Sequence, residues 1–250
     1  MNSATSATEA ATPQPVVFHW YEAEVVAVEA VTAFVKSVRL RCPIAGRQRA
    51  GQHIDVRLTA SDGYRASRSY SVASVPDDSE SLELLVQGLP EGEVSGWFLE
   101  TAEVGDLVEV RGPIGGSFSW DGADGGPLLL AGGGSGVVPL LAMLRRRAQV
   151  APDIPAALIY SVRSRAEAIA LGELEARDRD EPGFSLFLRT TREGEGRRID
   201  AGLVQAALDR IGAPTKVFLC GANRFVSPAA DLLLAAGVPA GIVRTERFGA

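Results

Sequence analysis

The sequence predicts two domains, an antiparallel β-barrel followed by an α/β domain with a parallel sheet. Up to residue 122, short stretches of alternating apolar and polar residues recur between turn formers, which is typical of a barrel or sandwich. After a glycine-rich segment at 122–126, short apolar runs alternate with helical patterns instead. We therefore expect one domain over residues 16–122, a second over residues 126–250, and a disordered tail over residues 1–15.

Each element follows from the spacing of its apolar residues and from the turn formers that bound it. In the first domain, strands are predicted at 21–28, 33–40, 51–58, 67–74, 82–88 and 107–111, with a short helix at 96–101. In the second domain, strands are predicted at 128–131, 156–160, 185–190 and 216–220, with helices near 137–149, 166–178, 200–211 and 223–236. Ligands of parallel sheets bind beyond the carboxyl ends of the strands, so the segments after these four strands line one crevice.

The segment 127–144 carries the strongest local signal. Its apolar start predicts a buried strand, and the glycines that follow leave backbone N–H groups open to a ligand. Pro139 suits the first turn of a helix that ends at the basic residues 145–147. A strand, a glycine turn and a helix N-terminus together are typical of a pyrophosphate site, with a simple tight turn as the alternative. The candidate residues around the crevice are Gly133, Gly134, Ser135, Gly136, Ser161, Arg163, Thr191, Arg192, Cys220, Gly221 and Asn223.

Composition excludes several classes of function. A net charge of −6 argues against nucleic-acid binding, and no apolar run reaches the ~18 residues of a membrane span. Two cysteines and two histidines are too few for a four-thiolate cluster or a zinc site, so we expect no metal. The first fifteen residues have neither a basic start nor a hydrophobic core, so we expect no signal peptide and a cytoplasmic protein with reduced thiols.

The stretch Arg68-Ser69-Tyr70-Ser71 joins an arginine that could bind a phosphate to a phenol that could stack on a flat heterocycle. An ordinary serine-rich strand is the alternative. The stretch resembles the flavin motif Arg-x-Tyr-Ser/Thr of the ferredoxin–NADP reductase-like flavoproteins. The resemblance continues in order over almost the whole chain after the tail. Its further segments are Gly92-Glu-Val-Ser95, Gly112-Pro-Ile-Gly115 with Phe118, Ala131–Pro139 and Cys220-Gly221.

The resemblance implies a flavin-binding barrel and a nucleotide-binding α/β domain with the active site between them. Arg68 would bind the pyrophosphate of FAD, Tyr70 would stack on the isoalloxazine, and Ser71 would hydrogen-bond near N5. The flavin-binding set implied is Arg68, Ser69, Tyr70, Ser71, Gly92, Val94, Ser95 and Gly96. The catalytic set implied is Ser71, Cys220, Glu246 and Phe248, with Cys220 beside the nicotinamide and Phe248 as an aromatic lid. As structural alternatives, Ser95 would be a helix N-cap, Cys220 a buried filler and Phe248 a fraying end.

By the same resemblance, FAD would accept hydride from NADPH or NADH and pass electrons to a separate carrier protein, such as a ferredoxin, or to an oxygenase component. A reductase of free flavin and a non-catalytic nucleotide-sensing module are the alternatives. Arg163 and Arg192 favour the 2′-phosphate of NADPH, unless Glu193 and Glu195 neutralise them. Lys36, Arg39, Arg41, Arg47 and Arg49 form either a docking surface for an acidic carrier or a solvated strand face. The sequence leaves open the acceptor, the oligomeric state and whether flavin is bound tightly.

Overall fold

A computed structural model describes residues 19–77 and 79–248. The predicted tail at residues 1–15 lies outside the described residues. The chain forms a six-stranded antiparallel sheet followed by a five-stranded parallel sheet, which confirms the predicted fold class. Within the described ranges, none of the helices combines the length and the apolar character that a membrane-spanning helix needs.

The first sheet closes into a barrel. Its strands are β1 (Tyr21–Thr32), β2 (Val35–Arg41), β3 (His53–Thr59), β4 (Arg65–Ser71), β5 (Ser81–Gln87) and β6 (Leu107–Ile114), and helix α1 (Glu93–Glu100) follows β5. The strand order is β4-β3-β6-β1-β2-β5. The two edge strands meet just beyond β4, where Val72 pairs with Leu84 and the Ala73 N–H donates to the Glu83 carbonyl at 2.8 Å. This seam leaves the barrel without an open edge at that point.

Helix α1 and strand β1 have different bounds from those predicted. Helix α1 begins at Glu93 and not at residue 96, so Ser95 lies in its first turn and Gly92 takes the N-cap position. Strand β1 extends to Thr32, four residues beyond the predicted end. Two register shifts in its pairing with β2, one of them between Ala30 and Thr32, break the alternation that the prediction followed.

The second domain alternates strands with helices. Its elements are β7 (Leu128–Gly133), α2 (Val137–Val150), β8 (Ala156–Val162), α3 (Leu171–Asp180), β9 (Phe184–Thr190), α4 (Ala201–Ile211), β10 (Lys216–Gly221), α5 (Asn223–Ala235) and β11 (Val243–Arg247). All strands run parallel in the order β11-β10-β7-β8-β9. The prediction missed β11. It also ran one helix over 166–178, where a short 3₁₀ turn (Arg165–Glu167) precedes α3 because Ala170 adopts φ 55° between them.

The two domains share an apolar core. The buried face of α2 packs against the second sheet and also against barrel-side residues that include Ala73, Leu85 and Trp120. The rings of Phe118 and Phe218 meet edge to face across this boundary, with centroids 5.3 Å apart. Because packed apolar cores resist deformation, the shared core holds the ends of β4 and β7 in a fixed relation.

Candidate functional site

Strand β4 presents the predicted flavin motif on two faces, since side chains alternate along a strand. Arg68 is exposed, and its Nη1 donates to the Ser67 carbonyl at 2.7 Å. Tyr70, on the same face, packs edge-on against Phe98 with ring centroids 6.0 Å apart, and burial raises its pKa, so the phenol stays neutral. Ser69 lies on the opposite face, where its hydroxyl donates to Asp55 at 2.6 Å. The structure thus brings Arg68 and Tyr70 together, but not Ser69.

Helix α1 packs against β4, and its first turn offers backbone donors. Val94 is buried in the barrel core. The Ser95 hydroxyl accepts from the Leu89 N–H at 3.3 Å and donates to the Gly92 carbonyl at 3.2 Å, which closes the preceding turn. A Cβ placed on Gly96 would meet no atom within 4 Å. Open space therefore lies beside a helix end whose first N–H groups have no intrahelical acceptor.

The glycine loop follows β7 as predicted and turns into α2. Gly133 pairs with Ser161 of β8, and a 3₁₀ turn (Gly134–Gly136) follows in which Ser135 is half-buried and Gly134 adopts φ 57°. A Cβ on Gly136 would lie 2.7 Å from the Gly221 nitrogen and closer still to the Cys220 carbonyl. Only glycine allows this approach, which places the N-terminus of α2 against the end of β10.

The two arginines predicted for coenzyme choice lie side by side. The Arg192 N–H donates to the Arg163 carbonyl at 2.9 Å, and the Thr191 N–H donates to the Val162 carbonyl at 2.9 Å. Both arginines are exposed beyond the carboxyl ends of β8 and β9. Among the described residues, the Arg163 guanidinium has one ion-pair contact, a long one of 3.8 Å from Nη1 to a carboxylate oxygen of Glu167.

The two glutamates close to this pair in sequence, Glu193 and Glu195, contact other residues. Glu193 turns its carboxylate to the backbone N–H of Arg165 at 2.8 Å, and Glu195 pairs with Arg197. The Arg192 guanidinium forms no ion pair within the described residues. Among the described residues, neither Glu193 nor Glu195 forms an ion pair with Arg163 or Arg192.

Three predicted catalytic residues meet around His53, where the barrel faces the second sheet. Cys220 and Glu246 are paired neighbours on the parallel strands β10 and β11. A carboxylate oxygen of Glu246 lies 3.3 Å from Nδ1 of His53, and His53 on β3 pairs with Ser71 on the neighbouring strand β4. The other oxygen of Glu246 is buried and has no hydrogen-bond partner within the described residues. An unsatisfied buried carboxylate oxygen at a domain boundary is an acceptor available to a ligand.

The end of β10 is held tightly. Burial and the nearby Glu246 carboxylate raise the pKa of the Cys220 thiol, so it is neutral and a poor nucleophile. Gly221 follows at φ 152°, and its carbonyl accepts the N–H of Phe248 at 3.2 Å. Phe248 is 42% exposed at the same edge. Asn223 is exposed as the first residue of α5.

Sequence reasoning missed His53, which it considered only as a metal ligand. The available signal was local, because Gly51-Gln52-His53 introduces the strand that pairs with the flavin motif. Residues 19–77 and 79–248 contain no group of three or more His, Cys, Asp or Glu side chains that could hold a metal ion.

Two family comparisons match the chain. The oxidoreductase FAD-binding domain family matches residues 22–120, and the oxidoreductase NAD-binding domain family matches residues 130–231. Together the two matches span most of the chain and fall on the two sheets in the same order.

Individual relatives belong to oxygenase systems by name. The chain is 29% identical over 235 residues to the reductase component of propane 2-monooxygenase from Mycolicibacterium goodii, covering 90% of the chain and 66% of that protein. It is 32% identical over 154 residues to methane monooxygenase component C from Methylosinus trichosporium, covering 62% of the chain and 44% of that protein. The chain thus spans less than two thirds of the length of these curated relatives. A crystal structure of a cytochrome P450 reductase from Amycolatopsis superposes with a TM-score of 0.77 at 25% identity, covering 97% of the chain and 73% of that protein.

Proposed function

The chain belongs to the ferredoxin–NADP reductase-like flavoprotein family, and from this premise we propose that it is an FAD-dependent NAD(P)H oxidoreductase that serves a separate electron acceptor. The observation that carries the proposal is the meeting of Ser71, Cys220 and Glu246 around His53 at the boundary of the two domains. Hydride transfer requires donor and acceptor to meet at one point, and this boundary is where ligands of the two domains would meet.

The barrel residues fit FAD. Arg68 lies on β4, against which α1 packs, and within the described residues only one of its donors has an acceptor, the Ser67 carbonyl. A pyrophosphate held there would gain charge-assisted hydrogen bonds from Arg68 and backbone bonds from the first turn of α1. The Tyr70 ring is fixed edge-on by Phe98, which leaves a face for a flat ring system.

The second domain fits a nicotinamide dinucleotide. The glycine turn and the N-terminus of α2 would hold the pyrophosphate, and Gly136 brings that turn against the carbonyl of Cys220. Arg163 and Arg192 would bind a 2′-phosphate, which favours NADPH over NADH.

When bound, the flavin supplies the hydride acceptor and the stepwise release of electrons. The residues of the chain orient the flavin and the coenzyme, and they exclude water from the site. Ser71 offers a hydroxyl, and Cys220 offers a small neutral side chain. Glu246 has one carboxylate oxygen 3.3 Å from Nδ1 of His53 and offers its second oxygen as an acceptor to the coenzyme. No general acid–base pair is required for hydride transfer itself.

The test begins with the visible spectrum of the protein after gel filtration and its bleaching by NADPH or NADH. Arg68→Ala and Tyr70→Ala are each expected to weaken FAD binding about tenfold to hundredfold, or roughly 1–3 kcal/mol, through lost charge-assisted bonds or lost stacking. Arg65→Ala, another exposed arginine of β4 on the opposite face, is the matched control. Unchanged FAD content in both variants would contradict the assignment. Wild-type protein that retains no FAD but reduces added flavin would favour the free-flavin alternative.

The acceptor is proposed to be a small electron carrier or an oxygenase component. Two of the predicted basic residues have carboxylate partners, since Arg41 pairs with Glu24 and Arg49 pairs with Asp124 at 2.6 Å. Arg39 remains exposed on β2, as does Arg47 in the loop that follows, and Lys36 is half-exposed on β2. An acidic carrier docking there should be reduced more slowly as salt rises, while reduction of the bound flavin by coenzyme stays constant. A carrier rate that is independent of salt would remove this surface from the proposal.

A cytoplasmic location completes the proposal. It is supported by Cys42 and Cys220, which are both buried and form no disulfide in the described part of the chain. Cell fractionation with an antibody to the native protein tests the location, and recovery from another compartment would contradict it.

A further inference from the structure

One arginine of α2 spans the two domains. Nη1 of Arg145 donates to the Ala73 carbonyl at 3.0 Å and to the Glu83 carboxylate at 2.7 Å, both on the barrel. Nε and Nη2 donate to the Glu173 carboxylate of α3 at 3.0 and 2.6 Å. The guanidinium therefore uses both arms of its planar fork, one for each domain, in a site where its side chain is only 22% exposed.

The barrel partners of Arg145, Ala73 and Glu83, are connected to the strand that carries Ser71. Ala73 lies two residues beyond Ser71, and its N–H donates to the Glu83 carbonyl at the barrel seam. Glu83 is fixed further, because its N–H donates to the Ser74 hydroxyl at 3.0 Å and its carboxylate accepts from the Ser37 hydroxyl at 2.8 Å. A displacement at Arg145 would thus act on the end of β4 and not on a loose surface loop.

On the side of the second domain, Arg145 is connected to the glycine turn. Helix α2 begins directly after Gly136, and Arg145 lies on the same helix. Glu173 is held within the second domain by Arg177 at 3.0 Å as well as by Arg145. A helix transmits displacement along its axis as a rigid element, so the position of Arg145 is coupled to that of the turn.

We infer that Arg145 is a positioning residue, which fixes the distance between the strand end carrying Ser71 and the helix carrying the glycine turn, and so the distance of hydride transfer. The inference rests on the proposed function. Without the guanidinium, the carboxylates of Glu83 and Glu173 would face each other from opposite domains, and like charges in a partly buried site repel. A shift of about 1 Å in reacting groups can cost about 10²-fold in rate.

The test compares Arg145→Gln with Arg177→Gln. Both remove one arginine from Glu173, but only Arg145 reaches the barrel. Reduction of bound FAD by increasing coenzyme in a stopped-flow spectrometer separates the limiting rate from the apparent Kd. Arg145→Gln should lower the limiting rate about tenfold to hundredfold and leave the apparent Kd within about threefold, because Arg145 lies away from the crevice. Arg177→Gln should change the limiting rate by less than about twofold.

An isotope effect and three further variants make the outcome decisive. A primary isotope effect with deuterated coenzyme shows that the limiting rate reports hydride transfer, and Arg145→Lys, which keeps the charge but loses the fork, should recover part of the rate. Glu83→Gln removes the carboxylate partner of Arg145 on the barrel and should also lower the limiting rate. Combined with Arg145→Gln, it should add little to the loss.

Equal limiting rates in the two arginine variants, or a loss confined to apparent Kd, would overturn the inference. If Arg145→Gln does not fold, an unchanged limiting rate in Glu83→Gln would overturn it. Wild-type FAD that neither coenzyme reduces would instead contradict the proposed function.

Discussion

Gly136→Ala is the sharpest single test of how the glycine turn meets strand β10. Gly136 adopts φ −62° and ψ −8°, which alanine adopts without strain, so backbone conformation does not oppose the change. Space does oppose it. The added Cβ would lie 2.7 Å from the Gly221 nitrogen and deeper still against the Cys220 carbonyl, while ordinary contact begins at 3.4 Å. Both neighbours are backbone atoms of a buried strand, so no side-chain rotation relieves the overlap.

The turn and the end of β10 must therefore separate by about 1 Å. Overpacking of this kind destabilises a protein by about 1–3 kcal/mol, which corresponds to a Tm lower by roughly 2–12 °C in a chain of this size. The same separation moves the proposed coenzyme turn relative to Cys220. A displacement of about 1 Å at a reacting centre costs about 10²-fold in rate, so we expect reduction of bound FAD to slow by about that factor.

The assay is thermal unfolding together with stopped-flow reduction of the bound flavin. Gly172→Ala is the matched control, because Gly172 is the second residue of α3 and a Cβ there would meet no atom within 4 Å. That change should leave the rate intact and stabilise the helix slightly. If Gly136→Ala is as stable and as fast as Gly172→Ala, the close approach of the turn to β10 is refuted, and so is the position assigned to the coenzyme.

Three other predictions concern charge and protonation. In steady-state kinetics, Arg163→Ala should raise the KM for NADPH about tenfold and leave the KM for NADH nearly unchanged. The control is Arg165→Ala, which should change neither KM, because the Arg165 guanidinium pairs with Glu175. Equal effects of Arg163→Ala on both coenzymes would count against a 2′-phosphate site. Cys220 should resist iodoacetamide in the native protein at pH 8, since burial and the Glu246 carboxylate raise its pKa and keep the thiol protonated; alkylation as fast as in the unfolded chain, measured by mass spectrometry, would contradict this. Burial opposes ionisation of Glu173, but Arg145 and Arg177 lower its pKa below the ordinary value of 4.5. The ionised carboxylate therefore stabilises the fold above pH 4.5, and this stabilisation is lost as the pH falls through the lowered pKa. The free energy of unfolding should therefore fall more steeply below pH 4.5 in wild type than in Arg145→Gln, and parallel profiles would refute the coupling.

The sequence predicted the elements whose signals are local. The apolar run and glycine turn after residue 127 located β7 and the start of α2 to within two residues, because buried strands and close backbone approaches restrict composition strongly. Strand β11 gave no such signal. It is five residues long at the sheet edge and mostly exposed, so no continuous apolar run marks it. The boundaries at 16–122 and 126–250 stay predictions.

The contact between His53 and Glu246 lay beyond sequence reasoning for a different reason. The two residues are far apart in the chain and belong to different sheets. No local sequence pattern around either residue indicates that it contacts the other. Their meeting depends on how the apolar core around α2 docks the domains. Patterns within one segment predict which face of an element is buried, but not which distant segment covers it.

The basic end of α2 shows the same limit within three consecutive residues. Arg145, Arg146 and Arg147 suggested a helix end whose charges complement the dipole. Successive residues of a helix point about 100° apart, so three neighbours in sequence reach three different places. Arg145 bridges to the barrel, and Arg146 lies 3.0 Å from Asp121 in the segment that joins the domains. Arg147 is buried and donates to carbonyls that include those of Pro152 and Pro182. Because each arginine has its own acceptors, the run does not act as one basic surface, and replacing all three would change three separate contacts.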